Sequence, residues 1–440
     1  MPWVASMTAQ ETNRHIVQAL GLGAAPSLAA SALLTAARQA LNGEPSWAWW
    51  VPGRIEVLGK HTDYAGGHVL NCATDVGMIA VARPRRDGAV RVISANQVIE
   101  VPLATTATGS GGMSTYIAAV ARRLARHFPG INTGIDLSIS ANLPAAAGMS
   151  SSSALVIAVH LALAAANRLN ERPEYRADLA TNEDLVPYLG CHENGAGYRR
   201  FVGEAGVGTS GGSQDHAAIL CSQAGRLNHW SFSPFHRLAT VEWPQNVILT
   251  VAVSGVLAEK TAAACEHFNR VADRVRAAVA LWNTASGRND ASIGAAMLAC
   301  GGSAVLAKIH DSDLHQRAEQ TVIETTEIVP GAVSALATGD LARFGALTAR
   351  SQAMAVSHLH NQVPETIALV AIAKDHGAVA ASAFGAGFGG AVWAAFQRDD
   401  HHAEAWIADY RQRFPQHPSA ALYHITPGPG ATALELDLGR

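Results

Sequence analysis

Three stretches concentrate the side chains that could do chemistry. In Leu143-Pro-Ala-Ala-Ala-Gly-Met-Ser-Ser-Ser-Ser-Ala154, the hydroxyls of Ser150, Ser151, Ser152 and Ser153 follow a run of small residues from Pro144 to Gly148. Small side chains let a backbone come close to a ligand, and a helix start offers unpaired N–H groups and the positive end of a dipole. Phosphate is the natural guest of such a loop. It is not a Walker A loop, because no Gly-Lys-Ser/Thr follows. The same serines would also serve as ordinary caps of a buried helix, and taken alone the stretch fits both readings. In the second stretch, Lys60, His61, Asp63 and Tyr64 crowd into a loop closed by Gly66 and Gly67. Polar side chains gathered between glycines suit a polyhydroxylated ligand, or else an exposed turn. In the third, Gly206-Val-Gly-Thr-Ser-Gly-Gly-Ser-Gln-Asp-His216 delivers a single acid, Asp215, ahead of an apolar run.

Regular elements must hold these loops. Ile135, Leu137 and Ile139 alternate with Asp136, Ser138 and Ser140, the two-residue period of a half-buried strand entering the serine loop. Ala154 to Leu169 is an apolar run of helix formers leaving it. Arg54 to Leu58 suits a short strand that Gly59 ends, and the Trp47-Ala-Trp-Trp50 run before it reads as packing. Further helices are expected at Ser27 to Leu41, at Ser114 to Phe128 and from about Glu259 to Trp282. In the second of these, Arg122, Arg123 and Arg126 would form a solvated face. Another helix, Pro364 to His376, has Pro in its first turn and Gly377 just past its end. Val247 to Ser254, Val379 to Ser382 and Ala391 to Phe396 read as strands, the last two flanking glycines at 385, 387, 389 and 390 that permit positive φ.

Composition excludes several classes. With 440 residues, 49% apolar and 15% charged, the chain is globular and long enough for two or three domains. A formal charge of −3 gives no electrostatic case for nucleic acid or an acidic membrane surface. Five widely spaced cysteines, Cys72, Cys191, Cys221, Cys265 and Cys300, argue for reduced thiols in a cytoplasm. No signal peptide or membrane span is visible. Nineteen histidines invite a metal reading, but neither His358 with His360 nor His401 with His402 has the spacing and third ligand of a zinc site.

The ordered motifs carry a resemblance. Val51-Pro-Gly-Arg-Ile-Glu-Val-Leu-Gly-Lys-His-Thr-Asp-Tyr-Ala-Gly-Gly67 resembles the galactokinase signature Gly-Arg-x-Asn-x-x-Gly-Glu-His-Thr-Asp-Tyr-x-Gly-Gly. The serine loop resembles the family's Pro-x-Gly-x-Gly-Leu-Ser-Ser-Ser-Ala, and Ala383-Phe-Gly-Ala-Gly-Phe-Gly-Gly-Ala391 resembles its Gly-Ala-Gly-Phe-Gly-Gly motif. These motifs belong to the GHMP kinase superfamily and span about residues 51 to 391. The resemblance implies an α+β, two-domain fold: a ribosomal-S5-like N-terminal domain over 1–225 and a ferredoxin-like C-terminal domain over 226–440.

It also implies a sugar kinase that uses ATP and Mg²⁺, working on a monosaccharide hydroxyl, by analogy the anomeric one. Asp215 would be the catalytic base and Arg54 the cation that keeps it ionised. Lys60, His61, Asp63 and Gly387 would face the sugar, and Pro144, Gly148 and Ser150 to Ser153 the nucleotide. Glu193, with Ser151 or Ser152, would hold the metal, although the long span to Asp215 leaves Glu204 as a rival. Around the base, Gln214 stands where the family has Met, and His216 where it has Gln. Phe268 takes the place of a sugar-contacting Tyr. Lys60 stands where galactokinases carry a Glu that accepts from the sugar's C6 hydroxyl, so the substrate reading stays open between galactose, another neutral sugar and a hexuronate. A non-catalytic sugar- and ATP-binding regulator is the other class. The expected partners are the small molecules alone, with no nucleic acid or membrane, in a cytoplasmic monomer or dimer.

Overall fold

A computed structural model describes residues 9–95, 97–144, 147–256, 262–398 and 401–436. Among them are thirteen strands: β1 Trp47–Leu58, β2 His68–Arg85, β3 Ala89–Ser94, β4 Gln97–Pro102, β5 Gly134–Ala141, β6 Arg226–Phe232, β7 Phe235–Glu242, β8 Val247–Val253, β9 Ala380–Ala383, β10 Ala391–Gln397, β11 Ala421–Ile425, β12 Pro427–Gly428 and β13 Thr432–Leu434. They form two sheets. The larger runs β13-β1-β2-β5-β3-β4, with β12 and β6 also paired to β2 and β7 paired to β6. The smaller runs β11-β8-β10-β9, all antiparallel.

The period-two pattern decides what each face of the smaller sheet covers. Leu249, Val251, Val253, Ala391, Trp393 and Ala395 face a core shared with Ile55, Val57 and Leu58 at the end of β1. Their alternates Ala252, Val392, Ala394 and Phe396 pack on the helices Pro364–Asp375 and His402–Arg413 through Leu369, Ile372, Trp406 and Tyr410. This is the strand order of a ferredoxin-like unit with both helices on one face. The larger sheet packs Val90, Val92, Leu137 and Ile139 against the helices Met113–His127 and Ser151–Ala166.

The expected division near residue 225 falls inside the larger sheet, which continues through β6 and β7 to Glu242 and takes back β12 and β13. Local patterning gives no sign of this return, because it depends on partners far away in sequence. The solvated face expected for Arg122, Arg123 and Arg126 also needs correction. Arg123 is fully buried and donates to the carbonyls of Cys191 and Ala196, where the helix Asn182–Asn194 ends. A guanidinium there satisfies carbonyls that a helix end leaves without partners. The expected helix start at Glu259 and the loop residues Ala145 and Ala146 lie outside the described residues, as does the side chain of Cys265. Cys72, Cys191, Cys221 and Cys300 are unpaired thiols. No described helix is long and apolar enough to cross a membrane.

Candidate active site

The ends of β1, β5 and three helices converge on one cleft. A register shift in β1 between Pro52 and Arg54 breaks the ladder with β2, and the Arg54 N–H donates instead to Met149 O of the serine loop at 3.3 Å. The Arg54 side chain is buried there. Its Nη1 donates to Gly148 O, and its Nε and Nη2 grip both oxygens of Asp215 at 2.5 and 3.0 Å. Asp215 is the second residue of the helix Gln214–Cys221. Burial pushes its carboxyl up, but the Arg54 guanidinium and a hydrogen bond from Ser150 Oγ outweigh this and hold it below its ordinary value. The carboxylate thus stays ionised.

Ser150 does not cap the helix it precedes. It sits in the left-handed region (φ 60°) with no side-chain bond to the helix, and its hydroxyl goes to Asp215. The helix begins at Ser151, earlier than the apolar run suggests, because the serines form its first turn. Ser151 is exposed and Ser152 half-buried, while Ser153 is buried and donates to Glu193 Oε1 at 2.6 Å. The hydroxyl that reaches Glu193 directly is thus that of Ser153, next to the two serines expected to share a metal with it. The rival Glu204 is engaged elsewhere, with Arg122 at 3.3 Å and Arg126 at 2.9 Å. The extra length between Glu193 and Asp215 loops out and returns, since Glu204 N bonds Gly195 O and Val207 N bonds Glu193 O. Pro144 and Gly148 flank the loop, both half-buried.

The 59–67 loop lies beside the Arg54–Asp215 pair. Asp63 accepts from Gln214 N at 3.1 Å, and burial pushes its carboxyl up to about 6. His61 Nε2 faces Ala386 O at 3.1 Å and Nδ1 faces Tyr64 OH at 2.8 Å. The carbonyl fixes the tautomer: Nε2–H donates and Nδ1 accepts. Burial, then the charge of Arg317, lowers the His61 pKa to about 4, so the ring is neutral. Gly387 (φ +78°) lets the glycine loop pack closely on Asn361, whose backbone carbonyl and side chain a Cβ there would strike. Phe268 lies against the loop, its ring centroid 5.7 Å from that of His61, so an aromatic face without a hydroxyl lines this wall.

Lys60 turns inward. It is 1% exposed, donates from Nζ to Ser382 Oγ of β9, and lies in the field of Glu56 and Glu324. It was expected to face the sugar, but its hydrogen bond goes to a serine hydroxyl inside the protein. Burial pushes the Glu56 carboxyl up to about 7 against the pull of Lys60 and Arg54, and its Oε2 accepts from Gln214 Nε2 at 2.6 Å. The loop backbone is clasped from the second half of the chain: Arg317 Nη2 donates to His61 O, Gln320 Nε2 to Lys60 O, and Gly59 N to Glu324 Oε2. Glu324 opens a π-helical turn at Glu324–Ile328, a distortion often found beside functional sites. Arg317, Gln320, Glu324 and Ser382 were not foreseen. Their only local signal is that Arg317, Gln320 and Glu324 recur at helical spacing on one face.

Three family models match this chain. The galactokinase galactose-binding signature covers residues 38–84, the GHMP kinases N-terminal domain 115–185 and the GHMP kinases C-terminal domain 332–416. The chain thus carries the galactokinase galactose-binding signature together with both GHMP kinase domains. It is accordingly a sugar kinase, a phosphotransferase with an alcohol acceptor. Among solved structures it is similar to the Lactococcus lactis galactokinase complexed with galactose, at 24% identity over 91% of this chain and 99% of that one, with a TM-score of 0.75. It is also similar to the Methanococcus jannaschii mevalonate kinase, at 14% identity over 88% and 99%, with a TM-score of 0.55. The galactokinase signature thus covers the whole clasped loop, Lys60 included.

Proposed function

We propose that this galactokinase-family chain transfers the γ-phosphoryl group of MgATP to the anomeric hydroxyl of a neutral hexose of galactose type. The observation that carries the reading is the Asp215 carboxylate, gripped by Arg54 and Ser150 at the junction of the serine loop and the sugar-signature loop. An acid held ionised there can take the hydroxyl proton as the O–P bond forms and the bond to the β-phosphate oxygen breaks, releasing ADP. The transition state of phosphoryl transfer is loose, so positioning and charge stabilisation carry most of the rate. The first turn of Ser151–Ala166 supplies N–H groups and hydroxyls for the phosphates, bounded by Pro144 and Gly148.

The donor set fits a hard divalent cation. Glu193 has one oxygen taken by the Ser153 hydroxyl, and Ser151 and Ser152 precede Ser153 in the same first helical turn. Oxygen donors of this kind suit Mg²⁺, which Glu193 with Ser151 and Ser152 would hold. When bound, the ion neutralises charge on the β- and γ-phosphate oxygens. Asp63 and the 386–387 backbone would read ring hydroxyls, with His61 neutral and fixed by Ala386 O.

Lys60 favours a neutral sugar over a hexuronate, because its ammonium is spent on Ser382, Glu56 and Glu324 inside the protein. The intact Asp215–Arg54–Ser150 set favours an enzyme over a non-catalytic binder. Nucleotide consumption measured over a panel of monosaccharides and hexuronates, with mevalonate as a control, tests both points. Galactose-type neutral hexoses should be turned over. Turnover of uronates alone, or of mevalonate, would overturn the assignment.

A further inference from the structure

The imidazole of His216 is buried to 1% exposure, yet neither ring nitrogen makes a hydrogen bond. A buried polar group without a partner asks for a reason. Its surroundings supply one. Nε2 lies 3.4 Å from Glu193 Oε1, the same oxygen that receives the Ser153 hydroxyl at 2.6 Å.

Three helix ends make this contact possible. Ser153 is in the first turn of Ser151–Ala166, Glu193 in the last turn of Asn182–Asn194, and His216 is the third residue of Gln214–Cys221. The second and third of these helices meet closely at Gly190, one turn before Glu193, where a Cβ would stand 2.7 Å from Ser213 Cβ. Consecutive helical residues point about 100° apart. Asp215 therefore faces Arg54 while His216 faces Glu193, and one short helix addresses both halves of the site.

We propose that His216 is the positioning residue of Glu193: its Nε2–H, 3.4 Å from Oε1 and not yet hydrogen-bonded, closes onto that oxygen beside the Ser153 hydroxyl when the divalent cation binds, which leaves Oε2 as the oxygen offered to the ion. The inference rests on the reading of Glu193 as the cation's carboxylate. Fixing one oxygen of a ligating carboxylate sets the plane and direction of the other, which is how partners behind a metal ligand tune its affinity. A ligand role for the imidazole itself is disfavoured, since Mg²⁺ prefers oxygen and the described residues contain no cluster of three His, Cys, Asp or Glu able to hold an ion. The resemblance places Gln at this position. A Gln amide can donate to the same oxygen, so the function survives that exchange while the donor atom changes.

The test is Mn²⁺ binding followed by electron paramagnetic resonance, in the presence of a non-hydrolysable ATP analogue, on the full chain. His216→Phe keeps a ring in the cavity and removes the donor, and His216→Asn shortens the donor out of reach. Both should weaken Mn²⁺ binding by about 10- to 100-fold. His216→Gln should stay within about threefold of wild type, and affinity for the analogue without metal should not move. Wild-type Mn²⁺ affinity in His216→Phe or His216→Asn, alongside a loss in Glu193→Gln, would overturn the positioning role and leave the Glu193 reading standing. Unchanged affinity in Glu193→Gln would overturn both. If His216→Phe does not fold, the contrast between His216→Asn and His216→Gln decides.

Discussion

Glu56→Gln should change the pH dependence of stability by an amount the structure sets. Glu56 is fully buried, and desolvation raises its carboxyl from 4.5 to about 7, opposed by Lys60, Arg54 and the Gln214 amide and aided by Asp63. A carboxyl raised on folding holds its proton in the native state over a range where the unfolded chain has lost it. Its contribution is thus complete below 4.5 and is lost as pH rises through about 7. At 1.36 kcal/mol per pKa unit the loss comes to about 3 kcal/mol. Gln keeps the shape and cannot ionise, so Glu56→Gln should gain about 3 kcal/mol relative to wild type between about pH 4.5 and pH 7.5. Asp63, raised to about 6, titrates in both proteins and cancels to first order. Urea unfolding at several pH values measures the difference directly. A constant gap between the two proteins across that range would refute the reasoning, because Glu56 would then be ionised throughout and paired tightly with Lys60.

Two further outcomes follow from the same site. Asp215→Asn should lower kcat by roughly 10²-fold or more with nucleotide affinity largely kept, and wild-type turnover in a well-folded variant would end the base assignment. Lys60→Met should destabilise the protein by about 3 kcal/mol, as breaking a buried charge cluster does, with the loss much reduced in the double variant Lys60→Met/Glu56→Gln. Urea midpoints measure this, and a Lys60→Met protein of wild-type stability that loses only a preference for galacturonate would show that the ammonium faces substrate instead.

Much of the site was legible because its parts are contiguous in sequence. A glycine-rich turn before Asp215, a serine run after a strand and polar residues between glycines each announce themselves within a dozen residues. What these parts bond to was less legible. Ser150 looks like a cap but serves Asp215, because the left-handed turn points its hydroxyl away from the helix. Lys60 looks like a charge set against substrate, yet its partners Glu324 and Ser382 lie some 260 and 320 positions downstream. Arg123 sits in a run of arginines that reads as solvated, and only the end of another helix explains its burial. The order of strands in the larger sheet escaped for the same reason, since β6, β12 and β13 join it from afar.

The pairing of β13 with β1, which sets Thr432 opposite Trp50 and Leu434 opposite Ala48, has a consequence for synthesis. While the ribosome is still making the second half, β1 is an open edge flanked by Trp47, Trp49 and Trp50, and exposed apolar edges invite pairing with other chains. A nascent chain arrested before residue 432 should thus be sticky even though the whole cleft around Asp215 and Ser150 has already emerged. Holdase demand should peak late in translation and fall once Thr432–Leu434 docks.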